Sequence, residues 1–110
     1  MFIPAPDEAL WIGVVRLVLH IPRSHSLKDR RGAVQSVVRR IAVRHHASVA
    51  EVGHLDNAGA AVVAATVVAN DPKAVRARLD AIRMEAERSS DAWLAEVNSW
   101  VQRMGDVGAT

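Results

Sequence analysis

The chain contains no cysteine and no tyrosine, and it has a single phenylalanine among its 110 residues. A protein without thiols forms no disulfide, no zinc–thiolate centre and no cysteine nucleophile. This fits a reducing compartment, so we expect a cytoplasmic protein. The longest apolar stretch, residues 10–21, is interrupted by Arg16 and His20 and is too short to cross a bilayer as a helix. We expect no membrane segment, and residues 1–9 show no signal-peptide pattern.

The charges are unevenly distributed along a chain whose net charge is only +2. Residues 1–46 hold eight Lys or Arg against three Asp or Glu, whereas residues 47–110 hold six against nine. This asymmetry predicts one electropositive face, of the kind to which polyanions bind. The alternative is that the basic residues only form a solvated helix surface.

The length predicts one compact domain, which we place at residues 10–103. Residues 1–9, which include Pro4 and Pro6, are expected to form a flexible lead-in. Residues 104–110 are expected to form a flexible tail. No repeat or internal linker divides the chain.

Hydrophobic periodicity predicts four strands and two helices. The predicted strands are residues 10–21, 47–55, 60–69 and 93–101. The predicted helices are residues 27–46 and 72–88. Ser26 is a suitable N-cap for the first helix, Asp71 followed by Pro72 starts the second, and residues 56–59 form a turn. The order βαββαβ predicts an α+β ferredoxin-like sandwich, with a four-stranded antiparallel sheet and two helices on one face.

The second face of this sheet would have no helix over it. Alternation along the first strand places Ile12, Val14 and Val18 on that face, which is unusually apolar for a surface in contact with water. A bare apolar sheet face usually marks an interface. These three residues therefore predict a homodimer interface, formed by this face or by an edge strand.

The basic residues around the first helix are the strongest candidates for a binding surface. Phosphate contacts need several cations on one surface, and a helix supplies them every three or four residues. The candidate nucleic-acid-binding residues are Arg23, Lys28, Arg30, Arg31, Arg39, Arg40 and Arg44. The alternative is that some of them pair with Asp29 or with acidic residues of the second helix. No feature of the sequence predicts recognition of particular DNA bases.

The tryptophans do not predict a base-stacking surface. RNA-binding sheets stack bases on aromatic residues of the central strands. We instead assign Trp11, Trp93 and Trp100 to flanking strands, where tryptophan belongs more often to a core or a dimer interface. Any RNA contact is therefore expected through shape and phosphates at the helix surface.

Three histidines form a second candidate site. The first and second strands of this fold run parallel, so His20 and His54 would end at the same edge, with His25 in the adjoining loop. Such a group could bind a divalent metal, with Asp56 as a further ligand. The alternative is that they are ordinary surface or hydrogen-bonded histidines, since their spacing matches no metal motif.

The chain has no phosphate-binding glycine loop, no nucleophile elbow and no set of nucleophile, base and acid. Glu51 is a lone carboxylate in a strand, and general acid–base catalysis by carboxylates would need a second one nearby. We therefore expect a protein that is not an enzyme and that carries no cofactor.

Four segments together resemble the small bacterial YlxP-like family, over roughly residues 11–101. They are Gly13–Leu17, Ser26–Arg31, Val49–Asp56 and Val67–Asp71. The resemblance implies a ferredoxin-like fold. It also implies a role near RNA or ribosomes, since the family's gene often lies among genes of transcription elongation, translation initiation and ribosome maturation. Leu55 stands where the family usually has glutamine, and residues 57–59 replace an aromatic and polar segment.

These observations predict an accessory protein that contacts RNA or a ribosomal subunit through its basic first helix. The alternative is a dimeric small-molecule sensor or a protein-interaction module that uses the open sheet face. A sensor would bind its ligand between protomers, but only the analogy of fold supports that alternative.

Overall fold

The structure, a computed structural model, describes residues 4–22, 26–53, 57 and 59–105. Its elements are β1 (Trp11–His20), α1 (Leu27–His45), β2 (Ser48–Gly53), β3 (Ala60–Ala69), α2 (Pro72–Glu87) and β4 (Trp93–Arg103). The order βαββαβ and the antiparallel sheet confirm the ferredoxin-like α+β fold. Every second residue of β1 is buried, and these residues lie on one face of the sheet. They form one core cluster with buried residues of α1 and α2, so both helices cover the same side of the sheet.

The strand order across the sheet is β2-β3-β1-β4. β1 pairs with β3 along its whole length, from Trp11 opposite Ala69 to His20 opposite Ala60, and it pairs on its other side with β4. β1 is therefore a central strand, and the prediction that Trp11 lies on a flanking strand is wrong. β2 and β4 form the two edges.

The core lies between the sheet and the helices. Val15, Leu17 and Leu19 project from β1 into it and are almost completely buried. Gly13 precedes them on the same face, and a Cβ at this position would lie 2.9 Å from Leu79 Cδ1 and closer still to Val75 Cγ1. The absence of a side chain at Gly13 therefore allows α2 to lie directly against β1.

The predicted start of α1 is confirmed, because the Ser26 hydroxyl accepts a hydrogen bond of 3.1 Å from the Asp29 amide. The helix ends at His45, one residue earlier than predicted, and His46 follows in the left-handed conformation with φ 48°. Leu27, whose helical spacing matches the apolar residues Val34, Val37 and Ile41 and so predicts burial, is exposed. Gly32 is exposed with open space around its Cα, so no packing contact among the described residues explains this glycine.

The predicted start of α2 is also confirmed. Asp71 caps the helix by accepting a hydrogen bond of 3.3 Å from the Ala74 amide, and Pro72 is the first helical residue. The helix ends at Glu87, one residue before the predicted end. Its last buried apolar residue is Ala86, whereas Met84 is exposed.

The described part of β2 runs from Ser48 to Gly53, so the strand begins one residue later than predicted, and its predicted last residues, 54 and 55, lie outside the described residues. In the turn before β3, the Asn57 side chain accepts a hydrogen bond of 2.8 Å from the Gly59 amide, which is the local turn chemistry predicted there. β4 continues two residues beyond its predicted end at residue 101. Neither helix in the described part of the chain is long and apolar enough to span a membrane.

Candidate functional site

The outer surface of α1 carries three of the predicted basic residues in exposed positions. Lys28, Arg31 and Arg39 are exposed, and none of them forms an ion pair with another described residue. Asp29 is the only acidic residue of the helix. We call Lys28, Arg31 and Arg39 the α1 ridge. Arg23, a further candidate, lies outside the described residues.

Arg30 does not belong to this surface, which corrects the predicted set. Only 4% of the residue is exposed. Its guanidinium forms an ion pair with Glu51 on β2, and its Nε donates a hydrogen bond of 3.0 Å to the Ala60 carbonyl. Arg30 therefore joins α1 to the sheet, with Glu51 as its partner on β2. Helical spacing could have indicated this, because Arg30 lies one turn before the buried Val34.

Arg40 and Arg44 are the other correction, because both face a buried carboxylate on α2. Glu85 is only 3% exposed, and its Oε2 lies 3.3 Å from Arg44 Nη1 and 3.9 Å from Arg40 Nε. Its Oε1 lies 3.1 Å from His45 Nε2. This pairing of α1 cations with an acidic residue of the second helix is the alternative left open above. Most of the Arg44 side chain is nevertheless exposed, whereas Arg40 is largely covered.

The pKa of Glu85 reflects these neighbours. Burial by itself would raise the pKa of this carboxyl, but the hydrogen bond to His45 and the charges of Arg44, His45 and Arg40 outweigh burial and lower the pKa below its ordinary value of 4.5. Glu85 is therefore ionised at neutral pH. The cluster is best explained as an electrostatic link between the two helices.

Arg78, which sequence reasoning missed, makes a second link between the helices. Its Nη2 donates hydrogen bonds of 3.1 Å and 3.2 Å to the carbonyls of His45 and His46, where α1 ends. Its Nη1 donates a bond of 3.1 Å to the Val68 carbonyl of β3. Arg78 thus satisfies carbonyls that the helix leaves unpaired, and its charge complements the helix dipole.

The predicted histidine site cannot be assembled from the described residues. His25 and His54 lie outside them. His20 is exposed, and its ring lies 5.7 Å from the ring of Trp93, at an interplanar angle of 52°. The described part of the chain contains no group of three or more His, Cys, Asp or Glu residues that could hold a metal ion.

The open sheet face lies opposite the helices. Ile12, Val14 and Val18 are half-buried on it, as β1 alternates. Trp93 and Trp100 on β4 are opposite His20 and Val14, and they are 62% and 56% exposed. We call the side of the sheet that carries these residues the open face. Trp93 and Trp100 lie on the edge strand β4, which confirms the prediction that they belong to a flanking strand.

The one basic residue of β1 is neutralised on this face. Arg16 Nη1 lies 3.2 Å from Glu96 Oε2 and donates a hydrogen bond of 3.0 Å to Asn98 Oδ1. The open face is therefore apolar and close to neutral, unlike the outer surface of α1.

A shallow groove lies on the helix side of the sheet, between α2 and β4. Its volume is about 490 Å³. Its floor is apolar, with Val15, Leu79, Val97 and Val101, while Ser99, Arg76, Asp80 and Arg83 are at its rim. Arg83 is already paired, since its Nη2 lies 2.7 Å from Asp80 Oδ1. The groove lies where α2, which contacts both β1 and β4, leaves part of the helix-side surface of β4 uncovered.

Comparison with known proteins identifies the family of this chain. The family DUF503, described as a protein of unknown function, matches residues 12–99, which is most of the chain. The chain belongs to the DUF503 family. The matched part of this DUF503 protein runs from β1 into β4, so it includes the α1 ridge and the open face. A comparison with curated proteins finds no match.

Proposed function

We propose that this DUF503 protein is a cytoplasmic, non-enzymatic accessory factor that binds RNA or a ribonucleoprotein through the α1 ridge. The observation that carries the proposal is that Lys28, Arg31 and Arg39 are exposed on one helix without an ion pair among the described residues. The resemblance to the YlxP-like family, with its gene neighbours in translation, supports the same partner class.

The geometry of the ridge favours a contact with phosphates over a contact with bases. Lys28 and Arg39 are 11 positions apart on α1, so the ridge is roughly 16 Å long at about 1.5 Å per residue. Arginine forks match phosphate oxygens, and a helix cannot enter the deep, narrow major groove of an RNA duplex. Such a contact has little sequence preference and weakens strongly with salt.

The buried pairs define which substitutions test this function. Replacing Arg40 or Arg44 would disturb Glu85, and replacing Arg30 would leave Glu51 unpaired, so a loss of binding could result from misfolding. The informative variant is the triple charge reversal Lys28→Glu, Arg31→Glu and Arg39→Glu. The matched control reverses Lys73, Arg76 and Arg88, which are exposed cations on α2 and at its C-terminal end and produce the same change in net charge.

Sedimentation of the tagged protein from host lysate through a gradient, at low and high salt and with or without nuclease, measures the contact. We expect salt-sensitive migration with ribosomal particles, lost in the ridge variant and kept in the control. With a labelled RNA hairpin, the ridge variant should bind at least tenfold more weakly, and its salt slope should fall by about 2 units. Equal binding by both variants, with both folded, would contradict the proposal.

The second candidate function is a protein-interaction module that uses the open face. It is favoured by the exposure of Trp93 and Trp100 on a face whose only β1 cation, Arg16, is already paired. A neutral apolar face suits the apolar surface of a protein better than a polyanion. Co-sedimentation with one stoichiometric protein, unaffected by nuclease and lost in Trp100→Ala, would identify this function.

A further inference from the structure

β4 is exposed on three sides. It is an edge strand that pairs only with β1, and no described strand covers its outer edge. Nine of its 11 residues are exposed, and the other two, Leu94 and Val101, pack against the core on the groove face. Three large apolar residues of β4 are exposed, Trp93 and Trp100 by more than half and Val97 by 38%.

From Glu96 to Arg103, β4 lacks most of the features that protect natural edge strands from pairing. Edge strands are usually short or carry a bulge, proline, lysine or an inward-facing charge. The other edge strand, β2, follows this rule, since its described part has only six residues and an irregular register next to Gly53. β4 has one register irregularity, between Leu94 and Glu96, but beyond it the strand pairs regularly with β1, has neither proline nor lysine, and carries only Glu96 and Arg103 as charged residues. Its unpaired backbone groups are therefore available to another strand.

We propose that β4 pairs antiparallel with β4 of a second copy of this chain, so that two four-stranded sheets join into one eight-stranded sheet. This inference goes beyond the proposed function and does not depend on it. A two-fold axis makes such an interface self-complementary, as in most homodimers.

The residues of β4 favour a pairing centred on Ser99. In that register Val97 lies opposite Val101 of the other copy, both on the groove face, so that the exposed Val97 of each copy covers the half-buried Val101 of the other. On the open face, Glu96 lies opposite Gln102, and Asn98 lies opposite Trp100. No like charges are opposed, and the grooves of the two copies meet above the seam.

The contact is narrow. In this register residues 95–103 of the two copies lie opposite each other, which is about 30 Å of strand at about 3.3 Å per residue. With one sheet layer about 10 Å thick, the contact is of the order of 300 Å² on each copy, below the roughly 800 Å² of a standard interface, so the dimer depends on its backbone hydrogen bonds and on the Val97–Val101 contacts.

The first test is the mass of the protein in solution, measured by light scattering during gel filtration at about 50 μM. The wild-type protein should have twice the 11.9 kDa mass of one chain. Val97→Lys introduces a charge at the seam and should weaken self-association at least tenfold. Val68→Lys places the same charge on the open face, where Val68 is also exposed, and should leave the dimer intact.

The second test uses the absence of cysteine, which makes every single-cysteine variant unambiguous. Ser99→Cys should form a disulfide-linked dimer under mild oxidation, because the two thiols would lie opposite each other at the axis. Ser48→Cys, the same substitution on the other edge strand, and Val14→Cys, on the open face, should not. Circular dichroism and thermal unfolding show whether each variant is folded.

Three results would overturn the proposal. The first is a monomeric wild-type protein at 50 μM or above. The second is a dimer lost in Val68→Lys and kept in Val97→Lys, which would identify the open face as the dimer interface. The third is cross-linking through Val14→Cys or Ser48→Cys rather than Ser99→Cys. None of these readouts involves RNA, so failure of the dimer and failure of the RNA contact are distinguishable.

Discussion

Replacing glycine by alanine should have opposite effects on the stability of the protein at Gly13 and at Gly32. Gly13 lies on β1 beneath α2, where an added Cβ would be 2.9 Å from Leu79 Cδ1 and nearer still to Val75 Cγ1. Gly32 is in the middle of α1, and a Cβ there would meet nothing within 4 Å. One substitution therefore tests tertiary packing, and the other tests helix propensity alone.

The cost at Gly13 follows from the stiffness of its neighbours. Val75 is fully buried and branched at Cβ, so the whole side chain must move by about an ångström to reach an ordinary contact. Overpacking of this kind costs about 1–3 kcal/mol. For a domain of this size the midpoint of thermal unfolding should fall by about 4–12 °C. At Gly32, alanine should stabilise the protein by about 0.5–1 kcal/mol, which raises the midpoint by about 2–4 °C.

The assay is thermal and urea unfolding of Gly13→Ala, Gly32→Ala and the wild-type protein, monitored by circular dichroism at one protein concentration. A double-mutant cycle with Val75→Ala isolates the contact, because the shortened side chain makes room for the new methyl group. The two changes should be less destabilising together than the sum of their separate effects.

Two results would refute this reasoning. If Gly13→Ala is as stable as the wild-type protein, α2 does not lie against β1 at Gly13. If Gly32→Ala destabilises the protein as much as Gly13→Ala does, the change at Gly13 cannot be assigned to packing. Additive effects in the Val75→Ala cycle would likewise show that the two side chains are not in contact.

Two further predictions concern the buried ion pairs. Folding lowers the pKa of the Glu85 carboxyl. Glu85 therefore stabilises the protein fully above pH 4.5, the ordinary pKa, and this stabilisation is lost as the pH falls through the lower pKa of the folded state. Glu85→Gln should reduce this acid dependence in thermal unfolding measured from pH 7 to 3. A variant with an unchanged pH profile would contradict this role of the cluster around Arg44 and His45. Glu51→Ala removes the Glu51 carboxylate from the buried Arg30 guanidinium and should cost about 2–4 kcal/mol in urea unfolding. An effect below about 0.5 kcal/mol would show that Arg30 does not need this partner.

Most of the architecture could be predicted because its signals are local. Ser26 and Asp71 cap the helices that follow them, and Pro72 has the backbone angle that a first helical residue needs. The apolar alternation of β1 identifies which face is buried, since successive side chains of a strand point to opposite sides. Interactions of this kind are made between residues close in sequence, so that the sequence pattern alone shows them.

The candidate site was less predictable, because ion pairs join residues that are distant in sequence. Six cations occur along α1 and look equivalent in the sequence, yet Arg30 pairs with Glu51 on β2 while Arg40 and Arg44 face Glu85 on α2. The hydrogen bonds of Arg78 to the end of α1 could not be anticipated either, since nothing near Arg78 in the sequence marks its partners.

The sequence by itself determined the order of the elements, the caps of the helices and the buried face of β1, because these depend on the periodicity and local chemistry of neighbouring residues. Only the tertiary structure decided which cations remain on the outer surface of α1 and which neutralise buried carboxylates. It also decided that β1 is central and that β4 is an edge strand exposed on both faces. The physical reason is that a charge or a strand edge has a function only once the fold has determined what lies beside it.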